Sequence, residues 1–175
     1  MSKAEYIANS SDFVYNASTQ AGVALSTGLS TTQTGFTLTN PFNSGYNLIL
    51  LQIFVTPTTI PAATASIVLT ANIATAASST AVVQTTALTV RNAKLGAGSN
   101  AVGLAASAAT LPAAPVVVAP LGGIAGTTDV ASPSTLLTNL DGGFVVSPGS
   151  AVSVNSLTTA ITCIVAMNWA EVAAF

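Results

Sequence analysis

The chain of 175 residues has no histidine, one cysteine, one tryptophan and only eight charged side chains, three basic and five acidic. Without histidine, the commonest general base and a favoured transition-metal ligand are missing. Serine or cysteine triads of the usual kind and zinc sites held by histidine are thereby excluded. Cys163 stands alone, so no intrachain disulfide forms. Its setting in Ile161-Thr162-Cys163-Ile164-Val165 reads as an apolar strand and an inert core thiol. Lys3, Arg91 and Lys94 are too few for the phosphate contacts on which nucleic-acid affinity depends. The acids Glu5, Asp12, Asp129, Asp141 and Glu171 are scattered. A glycosidase would have to bring a pair such as Asp129 and Asp141 together, and scattered acids are usually solvated loop residues. The expectation is a protein that is not an enzyme, with no catalytic, cofactor or metal residues.

Scarcity of charge also constrains how the molecule meets water. Ordinary soluble chains are about 25% charged, and this one is 5% charged with a net charge of −2. A folded monomer of this mass exposes roughly 7,800 Å², so each charge serves about 1,000 Å². Such a surface repels its neighbours weakly. Either neighbours cover it in use or hydroxyl groups wet it, and the 25 Thr and 18 Ser allow both.

Membrane signals are absent from the pattern. Residues 1–16 contain Glu5 and Asp12 and no apolar core of a secretory signal. The uncharged stretch 101–125 has the length to span a bilayer, but Pro112, Pro115 and Pro120 interrupt it and its side chains are mostly small. It reads as loop, strand and loop. The mean hydropathy of +0.69 reflects alanine and valine.

What is present is a succession of short β-branched runs separated by Gly, Pro, Asn and Ser. Gly35–Thr39 alternates Phe36 and Leu38 against threonine. Asn40-Pro41-Phe42-Asn43-Ser44-Gly45 is a turn cluster. Tyr46–Thr56 is the most apolar run and predicts a central strand, ended by Pro57 and Pro61. Residues 66–73, 81–90 and 116–119 predict further strands, and 136–140 a local pairing before the turn at Asp141-Gly142-Gly143. Residues 91–100 and 121–134 read as connections, and 102–110 is too rich in alanine to assign. Phe144–Ser147 and the alternation of Val152 with Val154 flank a turn at Pro148-Gly149. Residues 160–172 place Ile161, Cys163, Val165, Met167 and Trp169 on one face. About eight or nine strands spaced near ten residues apart predict an all-β sandwich or barrel. Residues 1–20 are expected to be an N-terminal arm and residues 21–175 a single sandwich domain.

Glycine pairs at 96–103 and 122–126 lack the lysine and the strand-loop-helix setting of a phosphate loop, so both read as turns. Asn9-Ser10-Ser11 and Asn16-Ala17-Ser18 match the glycosylation acceptor pattern by chance. Trp169 reads as a core residue beside Glu171, an acid at solvent or at an interface. The sharper alternative makes Trp169 an exposed anchor in a subunit contact. With Tyr6, Phe13 and Tyr15 of the arm, Trp169 and Glu171 complete the set of candidate interface residues.

The segment Leu38-Thr39-Asn40-Pro41-Phe42-Asn43-Ser44-Gly45-Tyr46-Asn47-Leu48-Ile49-Leu50 resembles a strand-turn-strand seen in many tailed-bacteriophage virion proteins. Gly142-Gly143-Phe144-Val145-Val146-Ser147-Pro148-Gly149-Ser150-Ala151-Val152-Ser153-Val154 is similar to a later turn of the same proteins, and a last strand ends Asn168-Trp169-Ala170-Glu171-Val172. The resemblance implies a jelly-roll-like antiparallel β-sandwich of about eight strands. It also implies a capsid decoration (cement) protein, made in the host cytoplasm and placed on the virion surface. There a homotrimer would bind the major capsid protein and stabilise the head without a cofactor, nucleic acid or membrane. The alternative reading is the receptor- or glycan-binding head of a phage fibre, spike or adhesin, which shares the sandwich. Residues 57–140 carry no part of the resemblance.

Overall fold

The alternation expected of residues 160–172 builds the centre of the molecule. In the computed structural model, which describes residues 13–72, 82–126 and 135–174, this run is the last of thirteen strands. The strands are β1 (Val14–Ser18), β2 (Val23–Ala24), β3 (Thr32–Thr39), β4 (Tyr46–Pro57), β5 (Ala65–Asn72), β6 (Val83–Ala87) and β7 (Arg91–Asn92). They continue with β8 (Leu104–Thr110), β9 (Val116–Ile124), β10 (Leu136–Asn139), β11 (Val145–Val146), β12 (Ala151–Ser156) and β13 (Thr162–Ala173). Three are only two residues long, which accounts for most of the excess over the eight or nine expected. No α-helix occurs among the described residues.

Two antiparallel sheets pack face to face as a β-sandwich. The first runs β10-β4-β13-β1-β7, with β11 also on β4 and β2 on β13. The second runs β6-β8-β3-β12-β5-β9. Early strands pair with late ones (β1 and β4 with β13, β3 and β5 with β12), the nested pairing of a jelly roll. Cys163, Val165, Met167 and Trp169 alternate into the space between the sheets, where they meet Phe36, Leu38, Leu48, Ile53, Ile67 and Leu69. Each such side chain contributes about 1.5–3 kcal/mol by leaving water, and together they form one core.

On β4 the inward parity changes within the strand. Leu48 and Leu50 point to the core on one side of the change, and Ile53 and Val55 on the other. A register shift against β13 between Asn168 and Trp169 produces it, because one residue of β4 is left without a partner. The β10–β11 turn seats there: Gly142 N–H donates to Leu50 O at 2.9 Å and Leu140 N–H to Leu51 O at 2.8 Å. Asp141 and Gly142 both have positive φ in a tight turn closed by Gly143 N–H on Leu140 O at 2.7 Å, and the strands on either side of it, β10 and β11, follow one another along β4.

Several expectations are corrected. Residues 14–18, read as part of an arm, form β1 between β13 and β7, because Tyr15 and Ala17 alternate into the core. The alanine-rich stretch is β8, wedged between β3 and β6, where Ala105, Ala106 and Ala109 are buried. Strand β9 continues through Pro120 and Gly122 to Ile124, where a loop had been expected. It tolerates proline because it is an edge strand, and its register slips at that point. Arg91 and Asn92, expected in a connection, pair with β1. The threonine face of the second sheet is not wetted at its centre. Thr37 Oγ1 and Ser153 Oγ share a hydrogen bond of 2.9 Å, and Thr70 Oγ1 donates to Asn155 Oδ1 at 2.9 Å, all within buried residues.

Candidate functional site

The two turn motifs that stand about a hundred residues apart in sequence meet at one corner of the sandwich. Asn40, fully buried, joins them. Its N–H donates to Ser150 O at 2.9 Å and its carbonyl accepts from Gly149 N–H at 2.8 Å. Its side-chain Nδ2 donates to Tyr46 O at 2.7 Å and to Val146 O at 2.8 Å. The Pro148-Gly149 turn closes with Ser150 N–H on Ser147 O at 3.0 Å, and Gly149 takes a φ of 85°. A Cβ there would lie 2.7 Å from the Phe42 ring. Beside this corner lies a hollow of about 600 Å³ lined by Thr39, Asn40, Phe42, Val102, Leu104 and Gly149 among others. Thr39 Oγ1 and Asn40 Oδ1 are buried without a hydrogen-bond partner. Such atoms cost about 1–3 kcal/mol when unsatisfied, and both lie beneath the surface of the hollow.

Val102 also lines a second, smaller cavity of about 250 Å³, together with Phe13, Tyr15, Tyr46, Asn100 and Glu171. The parity of β13 that sends Trp169 inward sends Glu171 inward as well, leaving it only 4% exposed. The carboxylate is held by neutral donors. Gly103 N–H reaches Oε1 at 2.8 Å, Val102 N–H reaches Oε2 at 2.9 Å, and the Trp169 indole Nε1–H reaches Oε1 at 3.1 Å. Glycine at 103 leaves room for the cluster, since a Cβ would stand a tight 3.0 Å from Trp169 Nε1 and 3.1 Å from Glu171 Oε1. Tyr15 packs beside the indole with ring centroids 6.4 Å apart.

Four of the five residues proposed from sequence therefore converge, but as an internal cluster. Trp169 and Tyr15 are buried within the chain, so neither is an exposed anchor. Glu171, read as an acid at solvent or at an interface, is instead turned inward, because β13 keeps its two-residue period to the end. Phe13 remains 53% exposed at the rim of the cavity. Tyr6 lies outside the described residues, as do Glu5, Asp12 and Asp129. Asp141 occupies the tip of a turn, where φ is 49°. Sequence reasoning missed Tyr46, Asn100, Val102 and Gly103. Extending the β13 alternation by one step would have found the inward Glu171, but nothing local pairs it with residues 102 and 103. Among the described residues no group of three or more His, Cys, Asp or Glu side chains meets. Cys163 is buried, and that burial pushes its thiol up to about 11, which makes it a poor nucleophile at neutral pH.

A third feature lies along the flank where the edges of the two sheets approach, with Leu136 of β10 against Gly122 of β9. Val116, Val117 and Val118 of β9, Leu137 of β10 and Val145 of β11 are all exposed. A shallow groove of about 340 Å³ lined by Val118, Phe144, Val145 and Val152 among others runs along it. Among the described residues no strand pairs with the outer side of edge strand β9.

The fold and these surfaces define the class: an all-β sandwich with an apolar flank and two hollows at one corner. No protein-family model matches the chain, and no curated protein or solved structure is significantly similar to it.

Proposed function

We propose that this chain is a structural assembly subunit, a capsid decoration protein of the tailed-phage kind. It acts as a homotrimer seated on the major capsid protein, and it stabilises the shell through the area it buries, not through chemistry. The observation that carries the reading is the flank formed by Val116, Val117, Val118, Leu137 and Val145, exposed on a surface of 8312 Å² that has eight charges in the whole chain. Exposed apolar side chains gathered on the edge strand and its neighbours mark a surface to be covered, and sparse charge favours association over dispersal. A closed ring of copies covers such a surface without leaving an open edge. The resemblance to virion proteins adds support, because its two turn motifs meet through Asn40.

The test is light scattering of the purified chain with and without undecorated capsids, followed by electron microscopy of the loaded particle. A trimer that adds discrete density at symmetry positions of the head is expected. A stable monomer with no affinity for shells overturns the reading.

The corner hollow favours a second reading, the glycan-binding head of a fibre or spike. The exposed Phe42 ring, with Asn43 and Ser44 in the same lining, offers stacking and polar contacts suited to a sugar. Saturable binding of a host-surface glycan, lost in Phe42→Ala, supports it, and an empty glycan screen removes it.

A further inference from the structure

We infer that the cavity beside Glu171 is a receptor for a compact organic cation, an ammonium or guanidinium group such as ends a lysine or arginine side chain. The inference stands on this cavity alone and does not depend on the assembly reading.

The charge balance comes first. Glu171 is almost wholly buried, and no cation among the described residues pairs with it; its partners are two backbone N–H groups and one indole N–H. A carboxylate has about four lone-pair positions. Oε1 takes bonds from Gly103 and Trp169 and a longer one from Val102, whereas Oε2 takes only the bond from Val102. Acceptor capacity therefore remains on a carboxylate that lines a cavity.

The walls select further. The other lining residues include three aromatic rings, Phe13, Tyr15 and Tyr46, with Asn100 adding a neutral amide. Aromatic faces attract cations, and cages of several rings recognise ammonium groups. The rings with the carboxylate favour a positive guest and disfavour an anion, and an aliphatic guest would leave the carboxylate's remaining capacity unmet. A cavity of about 250 Å³ is smaller than the roughly 300–1,000 Å³ of drug-sized ligand sites, so it suits one side-chain head.

Much of its lining is held by the sheet. Phe13 adjoins β1, Tyr46 opens β4, Glu171 is in β13, and the bonds from Val102 and Gly103 tie the 100–103 segment to the sheet. Rigid walls spend little entropy on binding.

Trp169 is the only tryptophan and its indole N–H touches the carboxylate, so the site carries its own reporter. The experiment follows the Trp169 indole resonance of the full chain during titration with tetramethylammonium and methylguanidinium, and with the neutral isostere tert-butanol. A saturable shift in the millimolar range is expected for the cations and none for the alcohol. Tyr46→Ala should weaken binding about threefold to tenfold, and Glu171→Gln at least about tenfold. Tyr46→Ala keeps the test decisive if Glu171→Gln does not fold. No saturable shift with either cation, or equal binding of tert-butanol, overturns the inference.

The same titration separates the sources of the cation. If a second copy supplies it, the basic residue is Lys3, Arg91 or Lys94. Replacing the right one by Met then makes the free probe bind more tightly where wild type self-associates. If another protein supplies it, none of the three replacements changes probe affinity. Either result supports the cation site.

Discussion

Replacing Glu171 by Ala removes the acceptor for three N–H groups at once. The bonds from Gly103 N–H and Trp169 Nε1–H are buried and that from Val102 N–H is partly so. Each buried donor left unsatisfied costs about 1–3 kcal/mol. The adjoining cavity admits water that recovers part of this, so the expected loss is about 2–5 kcal/mol. That is a large share of the roughly 5–15 kcal/mol that holds an ordinary domain together. For a chain of this length each kcal/mol moves Tm by about 2–4 °C, which gives a fall of roughly 4–20 °C. Glu171→Gln keeps one carbonyl acceptor but turns an amide N–H₂ toward the same donors, so its loss should be smaller, about 1–3 kcal/mol. The assay is urea unfolding followed by the fluorescence of the sole tryptophan, at one protein concentration so that self-association contributes equally. If Glu171→Ala unfolds within about 0.5 kcal/mol of wild type with an unchanged slope, the carboxylate is not what fastens residues 102–103 to the sheet.

Three further outcomes are expected. Gly149→Ala forces a side chain onto a φ of 85° and places its Cβ 2.7 Å from the Phe42 ring. It should cost about 1–2 kcal/mol for the backbone alone, read as a lower urea midpoint; an unchanged midpoint would refute the turn geometry. Cys163 should resist alkylation at pH 8 in the native state and react only as the chain opens. Its folded pKa of about 11 exceeds the free value of 9.0, so its contribution to stability is complete below pH 9 and is lost as pH rises through 11. Labelling at the rate of a free thiol in native buffer would falsify its burial. Val117→Lys adds a charge to the exposed edge and should shift the light-scattering mass toward monomer while changing stability by less than about 0.5 kcal/mol. An unchanged oligomer with this variant removes β9 from the contact.

Much of the architecture can be read along the chain because it depends on local period and turn chemistry. Cys163, Val165, Met167 and Trp169 share a face in β13 as the two-residue alternation requires, and Tyr46–Pro57 is an internal strand as its apolar run demands. Pro148-Gly149 turns where proline presets one φ and glycine permits the next. Other elements depend on their neighbours. Residues 104–110 are a strand because β3 and β6 flank them and small side chains fit the space, though alanine favours no strand by itself. Val14–Ser18 belongs to the sheet because β13 lies alongside it, which no local feature of the segment announces.

The candidate site divides in the same way. Composition alone established that histidine chemistry and an intrachain disulfide are absent, that the chain carries only eight charged side chains, and that it builds strands from β-branched runs. Only the tertiary structure decided that Glu171 is internal, that it is met by Val102 and Gly103 nearly seventy positions away, and that three aromatic rings stand around the same cavity. The reason is physical. Composition and alternation act through each residue's own backbone and solvation, whereas a site requires groups from distant strands to converge, and convergence is set by pairing and register across the whole sandwich.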